Sequence, residues 1–300
     1  MTTVAVTTRK PPRRYRRWTR SLTPWWLLSP SLVLLGLFFV APLLTLFLIG
    51  FQYHSLFHVG GWTFSNYSTI FNTGSYRHIA VTTTEIATFT MLVQLAFGFP
   101  LAYVLAFRAG RWELPVILLL VLADELNPIV RIYAYRVVLG REGIINRGLE
   151  AVGLVSRAHP ISWLLFDNFA VVVVLSTSYI TYTVIPIYAA MKAIDLSLIE
   201  ASTDLGAGWL RRTTRILIPL SAPGIFVAII LVYLPLYTEF ATPTLVGGTG
   251  SFMLGQLNAE LITESGDLGQ GAALSALLLL ATGVMAGIAY YLGRLNRLES

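Results

Sequence analysis

The 300-residue chain has no cysteine and little charge, with Asp, Glu, Lys and Arg at 12% together, about half the roughly 25% of an average soluble domain. Without cysteine there are no disulfides, no thiol catalysis, no Cys-ligated zinc and no iron–sulfur cluster. Histidine is scarce too: His54, His58, His78 and His159 are all there is, and they fall in the predicted outer segments. His54 and His58 are spaced i, i+4, but without a third ligand they read as an interfacial pair, not a metal site. No G-x-x-x-x-G-K-[ST] occurs, so the chain has no P-loop. Gly247-Gly248-Thr249-Gly250 lacks the lysine and the strand–helix setting, and reads as an outer turn. Nucleophile–base and paired-carboxylate catalysis find no support, so the chain is not read as an enzyme.

What is abundant is apolar surface. Hydrophobic residues make up 55% and the mean hydropathy is +0.69, which excludes soluble globular and disordered classes. The net charge of +6 is local. Arg9, Lys10, Arg13, Arg14, Arg16, Arg17 and Arg20 lie in the first 20 residues with no acid among them. Beyond them fourteen basic residues face fifteen acidic ones. A basic tail of this kind contacts anionic lipid, not nucleic acid. Its paired arginines are not an export signal, because a full-length span follows.

About 20 apolar residues cross the roughly 30 Å hydrocarbon core. Six stretches qualify: 25–51, 85–107, 112–139, 169–191, 222–245 and 268–292. The expected fold is all-α, a polytopic membrane protein with six spans. Lys and Arg gather in the tail, in 108–113, in 192–221 and at the C-terminus, which places both termini in the cytoplasm. The loop after the third span is less clean, with Arg136, Arg141, Arg147 and Arg157 on the outer side. Trp25, Trp26, Trp112, Tyr290 and Tyr291 fall at the inner interface, Tyr53 and Trp62 at the outer. Asn66-Tyr67-Ser68 matches a glycosylation sequon by chance. The expected organisation is a basic cytoplasmic tail at 1–24, a permease domain at 25–295 and a short end at 296–300.

The loop at 192–221 differs from a plain connector. Leu196, Ile199, Leu205 and Leu210 are apolar among polar neighbours. Asp195 or Ser197 is a candidate cap for a short helix. Gly206 and Gly208 can end it, and a second helix is expected from Trp209 to about Ile218, before Pro219. From pattern alone, two roles stay open: an interfacial helix pair lying on lipid, or a docking site for a cytoplasmic partner.

Glu200-Ala201-Ser202, then three residues to Gly206, nine more to Ile216, and one more to Ile218-Pro219 resemble the EAA loop of ABC importer permeases. Ser202 stands for the second alanine of that pattern and Ile218 for its leucine. Residues 128–146 and 239–248 also look like segments of the spermidine/putrescine-type permeases. The resemblance implies that the loop is a coupling helix seated in a groove of a separate ATPase. Glu200, Ala201, Ser202, Leu205, Gly206, Ile216 and Pro219 are then its working positions. On this reading Ala201 and Gly206 permit close approach and Glu200 pairs with Arg211, Arg212 or Arg215. It further implies a second permease subunit in a heterodimer, two ATPase subunits holding ATP and Mg, and a soluble substrate-binding protein outside. No cofactor is expected on this chain, and the bacterial inner membrane is the expected location.

Polar groups inside a bilayer are costly unless paired or hydrated, and so point to a cavity. Span three carries Asp124, Glu125, Asn127, Pro128 and Arg131. Span four carries Tyr179, Tyr182 and a run of Ser and Thr. Span five carries Tyr237, Glu239 and Pro243. Pro128, Pro235 and Pro243 can each break the helical ladder. Asp124 and Arg131 are seven apart and can pair, which suits a structural role for Arg131. Asp124, Glu125, Tyr179, Tyr182, Tyr237 and Glu239 are the candidate substrate path, and acids with tyrosine rings suit an organic cation such as a polyamine. The competing expectation is a secondary transporter that relays protons through these acids. Such a transporter would carry inverted repeats, and none is visible.

Overall fold

The computed structural model describes residues 23–55, 58–157 and 159–296. The basic tail and the C-terminal end from 297 lie outside the described residues, and so do the side chains of Trp25, Trp26, Tyr53, His54, His58 and Tyr290. The chain falls into two compact units, Met1–Thr45 and Leu46–Ser300. In the first, α1 (Thr23–Leu35) passes through a wide π-helical turn at Gly36–Val40 into α2 (Ala41–Gly50). Leu32, Leu34, Phe38 and Phe39 are all exposed there, as expected of a segment whose solvent is lipid.

The second unit begins within α2 and continues with a hairpin, β1 (Gln52–Ser55) antiparallel to β2 (His58–Trp62). Every other regular element among the described residues is helical. In order come α3 (Ser65–Asn72), α4 (Gly74–Phe107), α5 (Glu113–Asp124), α6 (Pro128–Leu139) and α7 (Ile144–Ala151). Then follow α8 (Asn168–Ser178), α9 (Ile180–Lys192), α10 (Leu196–Asp204), α11 (Trp209–Arg212) and α12 (Ile218–Thr238). The last three are α13 (Ala241–Val246), α14 (Leu254–Thr263) and α15 (Leu268–Asn296).

Among the described residues four helical segments are long and apolar enough to cross a bilayer: Leu28–Gly50, Gly74–Phe107, Trp209–Thr238 and Leu268–Ile288. Helices α8 and α9, bent by 46°, make a fifth if taken as one broken span. The expected third span, 112–139, is not one helix. It is α5 and α6, each about 18 Å long at 1.5 Å per residue. The cause is local. Asn127 accepts the Ile129 N–H at 2.9 Å and Pro128 takes the first helical position, where its missing N–H costs nothing. Pro235 behaves otherwise: it sits inside α12 without interrupting it.

Packing centres on α4. Ile86, Ala87 and Met91 meet Val171, Val174 and Leu175 of α8 and Val232 and Leu236 of α12. Further along α4, Ala102, Leu105 and Ala106 meet Val184, Ile187 and Met191 of α9 and Ala228 of α12. A third cluster joins Leu254 and Leu261 of α14 to Ala273, Leu274 and Leu278 of α15. In a membrane, lipid competes equally for apolar side chains, so helices associate through close packing of small residues. Gly224 shows this most sharply. A Cβ there would lie 2.5 Å from the Pro186 carbonyl oxygen and 2.6 Å from the Ala190 Cβ. Gly224→Leu is expected to part α9 from α12 and cost about 1–3 kcal/mol, as overpacking does. A lowered thermal midpoint of the detergent-solubilised protein would register it.

Candidate functional site

Two places draw the sequence-derived residues together: a polar layer where three helical runs are broken, and the exposed 192–221 loop.

The breaks are the α5–α6 junction at Glu125–Asn127, the α8–α9 bend at Tyr179 and the α12–α13 junction at Glu239–Phe240. Asp124 closes α5, and its Oδ1 lies 3.8 Å from Nη1 of Arg131 on α6, so the expected pair forms, loosely. Tyr182 faces the same carboxylate and lies within the field of Glu125. The Tyr182 and Tyr179 rings are 5.9 Å apart, and the Tyr179 hydroxyl donates to Glu239 Oε2 at 3.1 Å. Asp124, Tyr182, Tyr179 and Glu239 therefore form one connected row across three breaks. Beside it is a cavity of about 470 Å³, lined by Asp124, Arg131, Thr177, Thr181 and apolar groups of α5 and α6. Arg131 Nε is buried there without a partner among the described residues.

Glu239 is more committed than the sequence suggests. Its Oε1 accepts the Thr242 N–H at 3.0 Å and the Thr242 hydroxyl at 3.2 Å, closing the first turn of α13. With Tyr179 on Oε2, both oxygens are in use. Glu125, by contrast, is exposed and makes no ion pair among the described residues. Tyr237 stands apart from the row, sharing a hydrogen bond of 3.0 Å with Thr84 of α4 and stacking obliquely on Tyr233.

The bend at Tyr179 depends on a residue the sequence reading missed. Gln94 of α4 is fully buried. Its Nε2 donates to the Leu175 and Ser176 carbonyls at 3.3 and 3.2 Å, and its Oε1 accepts the Thr183 hydroxyl at 2.5 Å. Bending a helix weakens its own carbonyl pairing, and lipid offers no substitute. The one signal was a lone glutamine in a 34-residue, largely apolar helix.

In the 192–221 loop the Asp195 side chain accepts the Ser197 N–H at 2.9 Å and caps α10. That bond holds the Asp195 carboxyl below its usual value of 3.8. A lowered carboxyl stabilises the fold above the ordinary value, and the gain fades as pH falls through the lowered one. Asp195→Ala is expected to loosen the start of α10, seen as faster amide exchange over 196–204. Ser202 is buried and donates to the Ile199 carbonyl at 2.7 Å. Glu200, Ala201 and Gly206 are exposed, and Ile216 is half-buried.

Helix α10 ends on Gly206, whose φ of +74° is open to glycine at little cost. The Gly206 N–H meets the Thr203 carbonyl at 2.9 Å and the Ala207 N–H meets Ser202 at 3.0 Å. The next helix differs from expectation. It does not stop before Pro219 but runs from Trp209 to Thr238 through a π-helical turn at Thr213–Leu217. In that wider turn the Ile218 N–H reaches back five residues to the Thr213 carbonyl, just before Pro219, which has no N–H to give. The expected pairing of Glu200 with an arginine is absent among the described residues. Arg212 donates instead to the Thr203 hydroxyl at 3.0 Å, one turn nearer the end of α10 that faces α11. Leu205 is 88% exposed, and Trp209 and Leu210 are also largely bare.

The family model of the binding-protein-dependent transport system inner membrane component matches residues 2–297. The spermidine/putrescine transport system permease protein PotB of Escherichia coli K12 is 29% identical over 234 residues, 78% of this chain and 84% of its own length. PotB of Haemophilus influenzae is 29% identical over 221 residues, 73% of this chain and 76% of its own length. Among solved structures, a chain of a bacterial alginate ABC transporter in complex with an alginate-bound periplasmic protein superposes with a TM-score of 0.71 at 18% identity, over 91% of this chain and 94% of that one. A chain of the methionine ABC transporter MetNI superposes with a TM-score of 0.53 at 17% identity, over 74% and 98%. These two establish the fold alone.

Proposed function

We propose that this chain, which belongs to the family of binding-protein-dependent transport system inner membrane components, imports a small organic cation of the polyamine class. Family membership makes it a multi-pass permease subunit of an ABC importer and not an enzyme. The observation that carries the cation reading is the charge at the broken layer. Three acids, Asp124, Glu125 and Glu239, lie at the breaks with one arginine, Arg131, which pairs with Asp124. That excess of acid repels an oxyanion and attracts an ammonium group, for which the Tyr179 and Tyr182 rings offer further faces. The PotB relatives, named for spermidine and putrescine transport, support the same class.

In this reading a soluble binding protein delivers the cation from outside, and a second permease subunit completes the path. ATP and Mg sit on two ATPase subunits, and both termini are cytoplasmic. The 192–221 loop docks on an ATPase through Leu205, Trp209 and Leu210. Closure of the ATPase pair draws the loops together and opens the path alternately to each side. The test is uptake of labelled spermidine into proteoliposomes holding the whole transporter. Glu125→Gln and Asp124→Asn are each expected to lower uptake about tenfold, the 1.4 kcal/mol scale of one lost charge contact. Unchanged uptake in both variants rules out the cation path.

A further inference from the structure

We infer that Glu113, Tyr188 and Lys192 are positioning residues that lock α5 to α9, so that displacement of the 192–221 loop reaches the cavity at Asp124 as one rigid movement. This rests on the coupling role proposed above for that loop and adds the route by which its motion travels.

The route is visible in the register of two helices. Glu113, Val116, Ile117, Leu120 and Asp124 fall at i, i+3, i+4, i+7 and i+11, a single stripe along α5. On the other side of α5 Leu114, Leu118, Leu119 and Leu122 are exposed. The facing stripe of α9 is Thr181, Val184, Tyr188 and Lys192, running antiparallel. At the cavity end the Thr181 hydroxyl donates to the Leu120 carbonyl at 3.1 Å, and Tyr182 faces Asp124. At the other end Lys192 Nζ meets Glu113 Oε2 at 2.8 Å, and the Tyr188 hydroxyl donates to Oε1 of the same carboxylate. Between the two ends Val116, Ile117 and Leu120 pack against the cluster that joins Val184, Ile187 and Met191 of α9 to Ala102, Leu105 and Ala106 of α4.

Lys192 is the last residue of α9, and the capped start of α10 follows at Asp195 and Leu196. The lock therefore sits at the root of the loop. From Glu113, α5 runs about 16 Å at 1.5 Å per residue to Asp124. A push on the loop moves α9, and the double attachment at Glu113 carries α5 with it. Without the attachment, α9 can slide past α5 and leave the α5–α6 break where it was.

Stability does not account for the lock. The Lys192–Glu113 pair is partly exposed, at 49% and 26% of the side chains, and pairs of this kind add little to stability. Variants that break it are thus expected to fold and to bind the ATPase. That separates the inference from the coupling role itself, since Gly206→Asp is expected to lose the ATPase.

The test uses the absence of cysteine. A single Leu126→Cys, on the cavity wall and 59% exposed, is labelled with an impermeant thiol reagent in the assembled transporter. Labelling of this chain is read by mass spectrometry with and without ATP and vanadate. In the otherwise unaltered chain the rate is expected to change about tenfold between the two states, the usual size of a coupling between sites. Glu113→Gln and Lys192→Gln are each expected to bring that ratio close to one while ATP hydrolysis and co-purification of the ATPase persist. Exchanging the charges, Glu113→Lys with Lys192→Glu, restores the ratio. A full response in either single variant, or no recovery on exchange, overturns the inference. No response in the unaltered chain overturns the coupling role and the inference with it.

Discussion

Gly206→Asp is expected to abolish ATP-driven uptake while the protein still inserts in the membrane in normal amount. The effect divides into two parts. Within the chain the cost is small. A Cβ at Gly206 meets nothing within 4 Å, so the penalty is that of a non-glycine residue at φ of +74°, about 1–2 kcal/mol, and aspartate is among the residues that bear it best. The larger loss falls on the proposed contact. Gly206 adjoins Leu205, which is 88% exposed, at the turn offered to the ATPase. A carboxylate placed there must be desolvated or must hold the surfaces apart. Membrane yield measured beside uptake separates the two parts: normal yield with no uptake is the expected pair, and wild-type uptake refutes the coupling role.

Gln94→Leu is expected to destabilise the protein more than any surface change. Removing the amide frees the Ser176 carbonyl and the Thr183 hydroxyl together, and leaves the Leu175 carbonyl with the Tyr179 N–H alone. Each buried polar group without a partner costs about 1–3 kcal/mol. Part is regained as α8 and α9 straighten toward a continuous helix. The expected result is a large drop in thermal midpoint, with Tyr179 drawn away from Glu239. Gln94→Glu keeps an acceptor for Thr183 but loses both donations, so it fails nearly as badly. A midpoint within a degree or two of the parent in Gln94→Leu would show that the bend does not depend on this residue.

These expectations mark where the sequence was readable and where it was not. Long apolar helices such as α4 and α15 follow from run length alone, because lipid demands them. The cap at Asp195 and the turn at Gly206 were legible because both are local: a side-chain oxygen two residues from an N–H, and a residue free to take positive φ. The breaks were half legible. Pro128 alone marks a weak point in the ladder, but run length carries the span across the pair Asn127-Pro128, which starts a new helix. Pro235 was expected to break a helix that runs through it. The bend at Tyr179 has no proline or glycine beside it, and its support comes from Gln94, some 80 residues away in sequence. The sequence points to Glu239 as a candidate substrate-path acid, but its second task, closing α13 over Thr242, depends on α12 stopping at Thr238. Glu113 and Lys192 lie 79 residues apart, too far for spacing to pair them.

The proposed function stands or falls on a separate ATPase driving this permease. The direct measurement is spermidine accumulation in proteoliposomes under two energy sources, with and without the ATPase subunits. Accumulation that needs both ATP and the ATPase, and that survives collapse of the proton gradient, is the predicted result. Accumulation by the permease subunits alone, driven by a proton gradient, would contradict it.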